Sequence, residues 1–78
     1  MPEAFVLINC ELGLEKDILH SLSNLKGVEE VHLVYGVHDI IVKVKSEALE
    51  ELKDIIINKI RKMNGIRSTS TLIVIEKV

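Results

Sequence analysis

Tryptophan is absent from this 78-residue chain, and phenylalanine, tyrosine, proline and cysteine occur once each. Each scarcity excludes something. A lone Cys10 forms no internal disulfide, which fits a reducing compartment. There is no Cys-x-x-Cys pair, and His20, His32 and His38 lie at none of the i, i+2 or i, i+4 spacings that present two imidazoles together. Neither a metal site nor a cofactor is therefore expected. Ten basic residues stand against 12 acidic ones, interspersed, for a net charge of −2. The basic stripe of a nucleic-acid binder is missing. No apolar run reaches ~18 residues, and no basic segment leads into one, so neither a membrane span nor a signal peptide is expected. These absences together point to a cytoplasmic location.

What the chain has in quantity is aliphatic surface, with 47% of its residues hydrophobic. A chain of this length makes one small domain, residues 1–78, and buries only ~60–65% of its unfolded surface. It carries more apolar surface than so small a core hides, and self-association relieves the excess.

The richest stretch is Val31 to Lys45. Val31, Leu33, Val34 and Tyr35 precede the polar turn Gly36-Val37-His38-Asp39, and Ile40, Ile41, Val42 and Val44 follow it. β-Branched arms around a glycine and an aspartate predict a hairpin. Glu3 to Glu11 predicts the first strand. It has Ala4, Val6, Ile8 and Cys10 on one face and Phe5, Leu7, Asn9 and Glu11 on the other. Both faces begin apolar, so the strand belongs in the middle of a sheet.

Leu14, Ile18, Leu22 and Leu25 form one apolar stripe and predict a helix over 14–25, closed by Gly27. Val28 to Tyr35 and Asp39 to Lys45 are the second and third strands. Ser46 is the expected N-cap of a second helix over 47–63, with Leu49, Leu52, Ile56, Ile60 and Met63 facing the core. Its outer charges predict surface pairs such as Glu50 with Lys53. Ile66 to Lys77 is the last strand.

The order βαββαβ contains a weak internal echo: Leu25-Lys26-Gly27-Val28 and Met63-Asn64-Gly65-Ile66 each close a helix and open a strand. Two split βαβ halves with right-handed crossovers make a ferredoxin-like α+β fold. The expected sheet is antiparallel, in the order 4-1-3-2, with both helices on one face. The other face, with Phe5 and Leu7, is left for another subunit.

Chemistry enters at the turn. Backbone N–H groups from Gly36 to His38 can form an anion-binding concavity, and Asp39 can accept from an ammonium. Together these are the two requirements of an amino-acid zwitterion. The plain alternative is that Asp39 only ties its own turn. Ser68 to Thr71 either line a polar pocket or simply open a strand. Cys10 alternates with core residues and lacks an activating base, so it reads as a small core residue.

The chain resembles the ligand-binding domain of the Lrp/AsnC (feast/famine) transcription regulators, the RAM domain. The resemblance rests on Glu3 to Ile8, on Leu25 to Val28, on Val34 to Val44 and on Asn64 to Ile75, in that order and spacing. It covers nearly the whole chain. It implies a ferredoxin-like fold, binding of an amino acid or related effector, sheet-to-sheet dimers and rings of dimers. It also implies effector contacts at Tyr35, Gly36, Val37, His38 and Asp39, with Thr69, Ser70 and Thr71 behind them. The sequence departs from the family's regulators in two ways. It starts at the first strand, without their helix-turn-helix half, so it resembles the stand-alone form of the domain. It also has His38 where an aromatic residue is usual. Full-length regulators of the family are then possible partners.

Other occupants of this fold fit less well. An RNA-binding module needs stacking aromatics on its third strand, and Asp39 to Lys45 has none. A metal chaperone needs a cysteine pair. A small enzyme needs a convergent acid–base pair, and none is visible, so no enzymatic activity is expected. A purely structural partner of longer regulators remains compatible with the sequence.

Overall fold

Alternation in the first strand sets the two faces of the molecule. In the computed structural model, which describes residues 1–78, strand β1 runs Glu3–Cys10. Ala4, Val6 and Ile8 on one side are fully buried, whereas Phe5 on the other is 37% exposed. Helix α1 (Glu15–Ser23) follows, then strands β2 (Val28–Leu33) and β3 (Ile40–Lys45). Helix α2 (Leu49–Asp54) continues into a π-helical turn, Ile55–Ile60, before strand β4 (Ile66–Ile73). The sheet is antiparallel in the order β2-β3-β1-β4, the expected order read from its other edge.

The core lies between the sheet and the helices. Val6, Ile8, Ile40, Val42 and Val44 meet Ile18 and Leu22 of α1 and Leu52, Ile55, Ile56 and Ile60 from the second helical segment. Full burial of each such side chain contributes ~1.5–3 kcal/mol. No helix is long and apolar enough to cross a membrane.

The second helix departs from expectation. Ser46 is not its N-cap. The Ser46 hydroxyl donates to the Ala48 carbonyl at 2.7 Å, and its N–H donates to Pro2 O. These bonds keep 46–48 out of the helix, a local competition typical of serine. Ala48 then occupies the cap position with extended backbone and no side-chain cap. Leu49 is 44% exposed, while Ile55 joins the core. The π-helical turn explains the latter: Arg61 N–H reaches back five residues to Ile56 O, and this wider turn keeps Ile55, Ile56 and Ile60 on one side. The Glu50–Lys53 pair does not form. Lys43 instead lies 3.7 Å from both Glu29 and Glu30 on the open face of the sheet.

Strand ends are shorter than predicted because pairing partners run out. The Val34 N–H to Asp39 carbonyl bond closes the β2–β3 ladder, leaving Tyr35 outside it. Val74 N–H to Glu3 O is the last bond of β4 to β1, and nothing pairs with the residues beyond. The internal echo is geometric. Gly27 and Gly65 both hold φ +94°. Each carbonyl accepts from the end of a central strand, from Lys45 N–H at 2.8 Å and Glu11 N–H at 2.7 Å respectively.

Candidate functional site

The antiparallel register brings four chain segments to one end of the sheet. Ile8 pairs with Ile40 and Cys10 with Ile66. The end of β1, the start of β4, the 34–39 turn and the entry to α1 therefore meet there. Asp39 is fixed at their centre. Its N–H donates to Ile8 O at 2.9 Å, and its Oδ2 accepts from Cys10 N–H at 2.9 Å. The Asp39 carboxylate thus ties the turn to β1, while its carbonyl closes the turn on Val34 N–H. The amides of Tyr35, Gly36, Val37 and His38 donate to no backbone acceptor of the chain.

His38 is held by β1 as well. Its Nδ1 lies 2.9 Å from the Asn9 side-chain amide. With the amide nitrogen turned toward the ring, Asn9 donates to His38 Nδ1 at 2.9 Å, with Ile8 O and Val37 O within reach of its second N–H. Burial pushes the Cys10 thiol pKa up, and the Asp39 carboxylate beside it adds to the shift, followed by Glu15 and Glu11. The thiol is thereby kept protonated and unreactive, as expected of a core cysteine.

Asp39 borders two cavities. The first, about 560 Å³, lies toward α1 and is lined by Leu12, Glu15, Lys16, Leu33, Val34, Tyr35 and Asp39. The second, about 450 Å³, lies toward β4 and is lined by Asn9, Cys10, Val37, Asp39, Arg67 and Ser68. Tyr35 and Asp39 therefore share one wall, and Val37 and Asp39 another. Tyr35 and Val37 are almost wholly exposed. Gly36 and His38 line neither cavity.

Thr69, Ser70 and Thr71 line neither cavity and alternate between the two faces of β4. Thr69 pairs with Ile8 and Thr71 with Val6, so both sit on the helix side of β4. Ser70 pairs with Leu7 on the open face. The Thr71 hydroxyl is buried without a hydrogen-bond partner. Of the residues that line the second cavity, sequence reasoning singled out Ser68, within the hydroxyl run, but not Arg67. Nothing in the sequence sets Arg67 apart beyond its place two residues after Gly65.

With this geometry in hand, comparison with known proteins is informative. Residues 3–78 match the family described as the Lrp/AsnC ligand binding domain. The chain belongs to that family. Among Lrp/AsnC relatives, an uncharacterized HTH-type transcriptional regulator of Pyrococcus furiosus is 38% identical over 73 residues, covering 90% of this chain and 49% of that protein. The chain thus spans about half the length of that regulator. The crystal structure of FFRP-DM1 is 41% identical with a TM-score of 0.92, covering 96% of this chain and 100% of that one. A homocitrate synthase of Saccharolobus islandicus is 36% identical over 77 residues, which cover 97% of this chain and 16% of that enzyme. The Lrp/AsnC ligand-binding fold and the βαββαβ architecture derived above agree.

Proposed function

We propose that residues 1–78 act as one effector-binding and assembly domain of the Lrp/AsnC type, taking an amino acid or related small zwitterion at the 35–39 turn. The observation that carries this reading is Asp39. One of its carboxylate oxygens is anchored on Cys10 N–H, and the side chain borders two cavities of ligand size. A fixed carboxylate beside unpaired backbone amides suits an ammonium and a carboxylate on one ligand. The chain is a binding module rather than an enzyme. The homocitrate synthase match covers a small part of that protein and supports a unit that accompanies different outputs.

Self-association through the open sheet face is part of the proposal. Phe5 and Leu72 stand opposite each other on that face and are 37% and 55% exposed. The expected product is a homodimer that assembles further into rings. Co-assembly with longer Lrp/AsnC regulators is a second reading, favoured by the match to about half of such a regulator. Direct nucleic-acid binding is not proposed, in keeping with a net charge of −2.

Native mass spectrometry with and without the twenty standard amino acids tests both parts. The expected result is even-numbered assemblies and a mass increase with at least one amino acid. A monomer at micromolar concentration that takes up none of them overturns the proposal.

A further inference from the structure

The same irregularity occurs twice in the sheet. Between β2 and β3 the register passes from Val28↔Val44 to Glu30↔Lys43, leaving Glu29 unopposed. Between β4 and β1 it passes from Ile66↔Cys10 to Ser68↔Asn9, leaving Arg67 unopposed. Both residues sit two places after the glycines that hold φ +94°. A bulge of this kind re-aims one side chain. The two re-aimed side chains meet different fates. Glu29 is neutralised by Lys43 at 3.7 Å. Arg67 takes part in none of the chain's ion pairs, although it lines the same cavity as Asp39.

We propose that Arg67 receives the carboxylate of the effector, and that the ligand lies in the cavity on the β4 side of the turn with its ammonium toward Asp39. This rests on the effector reading of the turn and names the cavity and the second charged contact. Charge balance selects between the two cavities. The α1-side cavity carries the acids Glu15 and Asp39 against the single base Lys16. That surplus of negative charge repels a carboxylate. The β4-side cavity carries one acid, Asp39, and one base, Arg67, the complement of a zwitterion. Its volume of about 450 Å³ falls within the range of small-ligand sites. Guanidinium pairs with a carboxylate through two parallel N–H···O bonds, which a neutral carboxamide does not reproduce.

The test is calorimetric titration of the full chain and its R67Q and K16Q variants. The ligands are the twenty standard amino acids, then the α-carboxamide of the tightest binder. Wild type is expected to prefer the free acid at least ~10-fold over the carboxamide. R67Q should weaken the free acid by a similar factor and bring the two ligands level. K16Q should bind like wild type, and R67Q should melt like wild type because Arg67 is exposed. An R67Q protein that keeps the wild-type preference for the acid overturns this inference and leaves the effector reading standing. So does one that weakens both ligands equally. A wild-type protein that binds no amino acid overturns the effector reading and this inference with it.

Discussion

The halves β1-α1-β2 and β3-α2-β4 are alike at their joints and unlike at the sheet end that carries the turn. Gly27 and Gly65 each lie beneath the helix of the other half. A Cβ on Gly27 would stand 2.7 Å from Ile55 Cδ1, and one on Gly65 would stand 2.8 Å from Leu14 Cδ1. Each is followed by a bulge, at Glu29 and Arg67. What the halves share is what the fold requires: a left-handed joint, close approach of a helix and a central strand ending on a glycine carbonyl. What appears on one side only needs another explanation. The 34–39 turn, the anchored Asp39 and the unpaired Arg67 have no counterpart at the opposite end. There the bulged Glu29 is closed off by a lysine. The turn joins the two halves and has no counterpart by topology; the like-for-like contrast is between the paired Glu29 and the unpaired Arg67 at equivalent bulges.

The joints offer the largest effects. An L side chain at φ +94° is strained by ~1–2 kcal/mol in either half. The surroundings differ. A Cβ at position 27 also meets the Lys45 carbonyl oxygen at 3.2 Å, which belongs to the backbone. At position 65 the close atoms are the ends of Leu14 and Ile18, which can turn aside. Gly27→Ala should therefore cost more than Gly65→Ala, with both at ~1–3 kcal/mol. In a domain of this size each kcal/mol lowers Tm by ~4–8 °C. Melting curves of the two variants check the order. A Tm unchanged in either would break the equivalence of the joints.

Asp39 sharpens the contrast at the other level. Asp39→Ala leaves the part-buried Cys10 N–H without its acceptor, a loss of ~1–2 kcal/mol. Asp39→Asn retains an acceptor of the same shape and should stay within ~1 kcal/mol of wild type. For ligand affinity both should lose at least ~10-fold, Asp39→Ala the more because it keeps not even a neutral bond. Each loses the charge, and a charge-assisted bond exceeds a neutral one by enough to lower affinity ~10-fold. Titration beside thermal melts separates the roles. Stability loss in Asp39→Ala with unchanged affinity in both variants would reduce Asp39 to a tether between the turn and β1.

Much of the fold was legible because period and punctuation are local. Alternation in β1 identified the buried set Ala4, Val6 and Ile8. Two glycines after two apolar stripes identified the joints. The features that escaped depend on which of several possible partners a residue takes in the fold. Ser46 has the chemistry of an N-cap, but its neighbours Pro2 and Ala48 engage it first. Ile55 enters the core only through the π-helical turn. Arg67 becomes distinctive only when β4 is laid against β1 and one residue is found unopposed. The grouping of Thr69, Ser70 and Thr71 behind the turn conflicts with the period of a strand. Neighbouring residues point to opposite faces, so Ser70 faces away from Thr69 and Thr71.

The smallest effect concerns Cys10, where the turn meets the core. Burial and the Asp39 carboxylate raise the thiol pKa above its ordinary value of 9.0. In the unfolded chain the thiol ionises near that ordinary value, while in the folded chain it holds its proton to higher pH. Between the two the folded state binds more protons, so stability falls as pH rises. The contribution is complete below about pH 9 and declines above it. A single proton limits the slope to ~1.4 kcal/mol per pH unit. The informative quantity is the Tm difference between wild type and Cys10→Ala at each pH from 7 to about 10.5. That margin should be constant up to pH 9 and shrink beyond it. In Asp39→Asn, where one source of the shift is removed, the margin over the matching double variant should shrink less. A margin independent of pH would mean that the thiol ionises as freely in the folded chain as in the unfolded one. The Asp39 carboxylate would then exert no influence on the core residue it anchors.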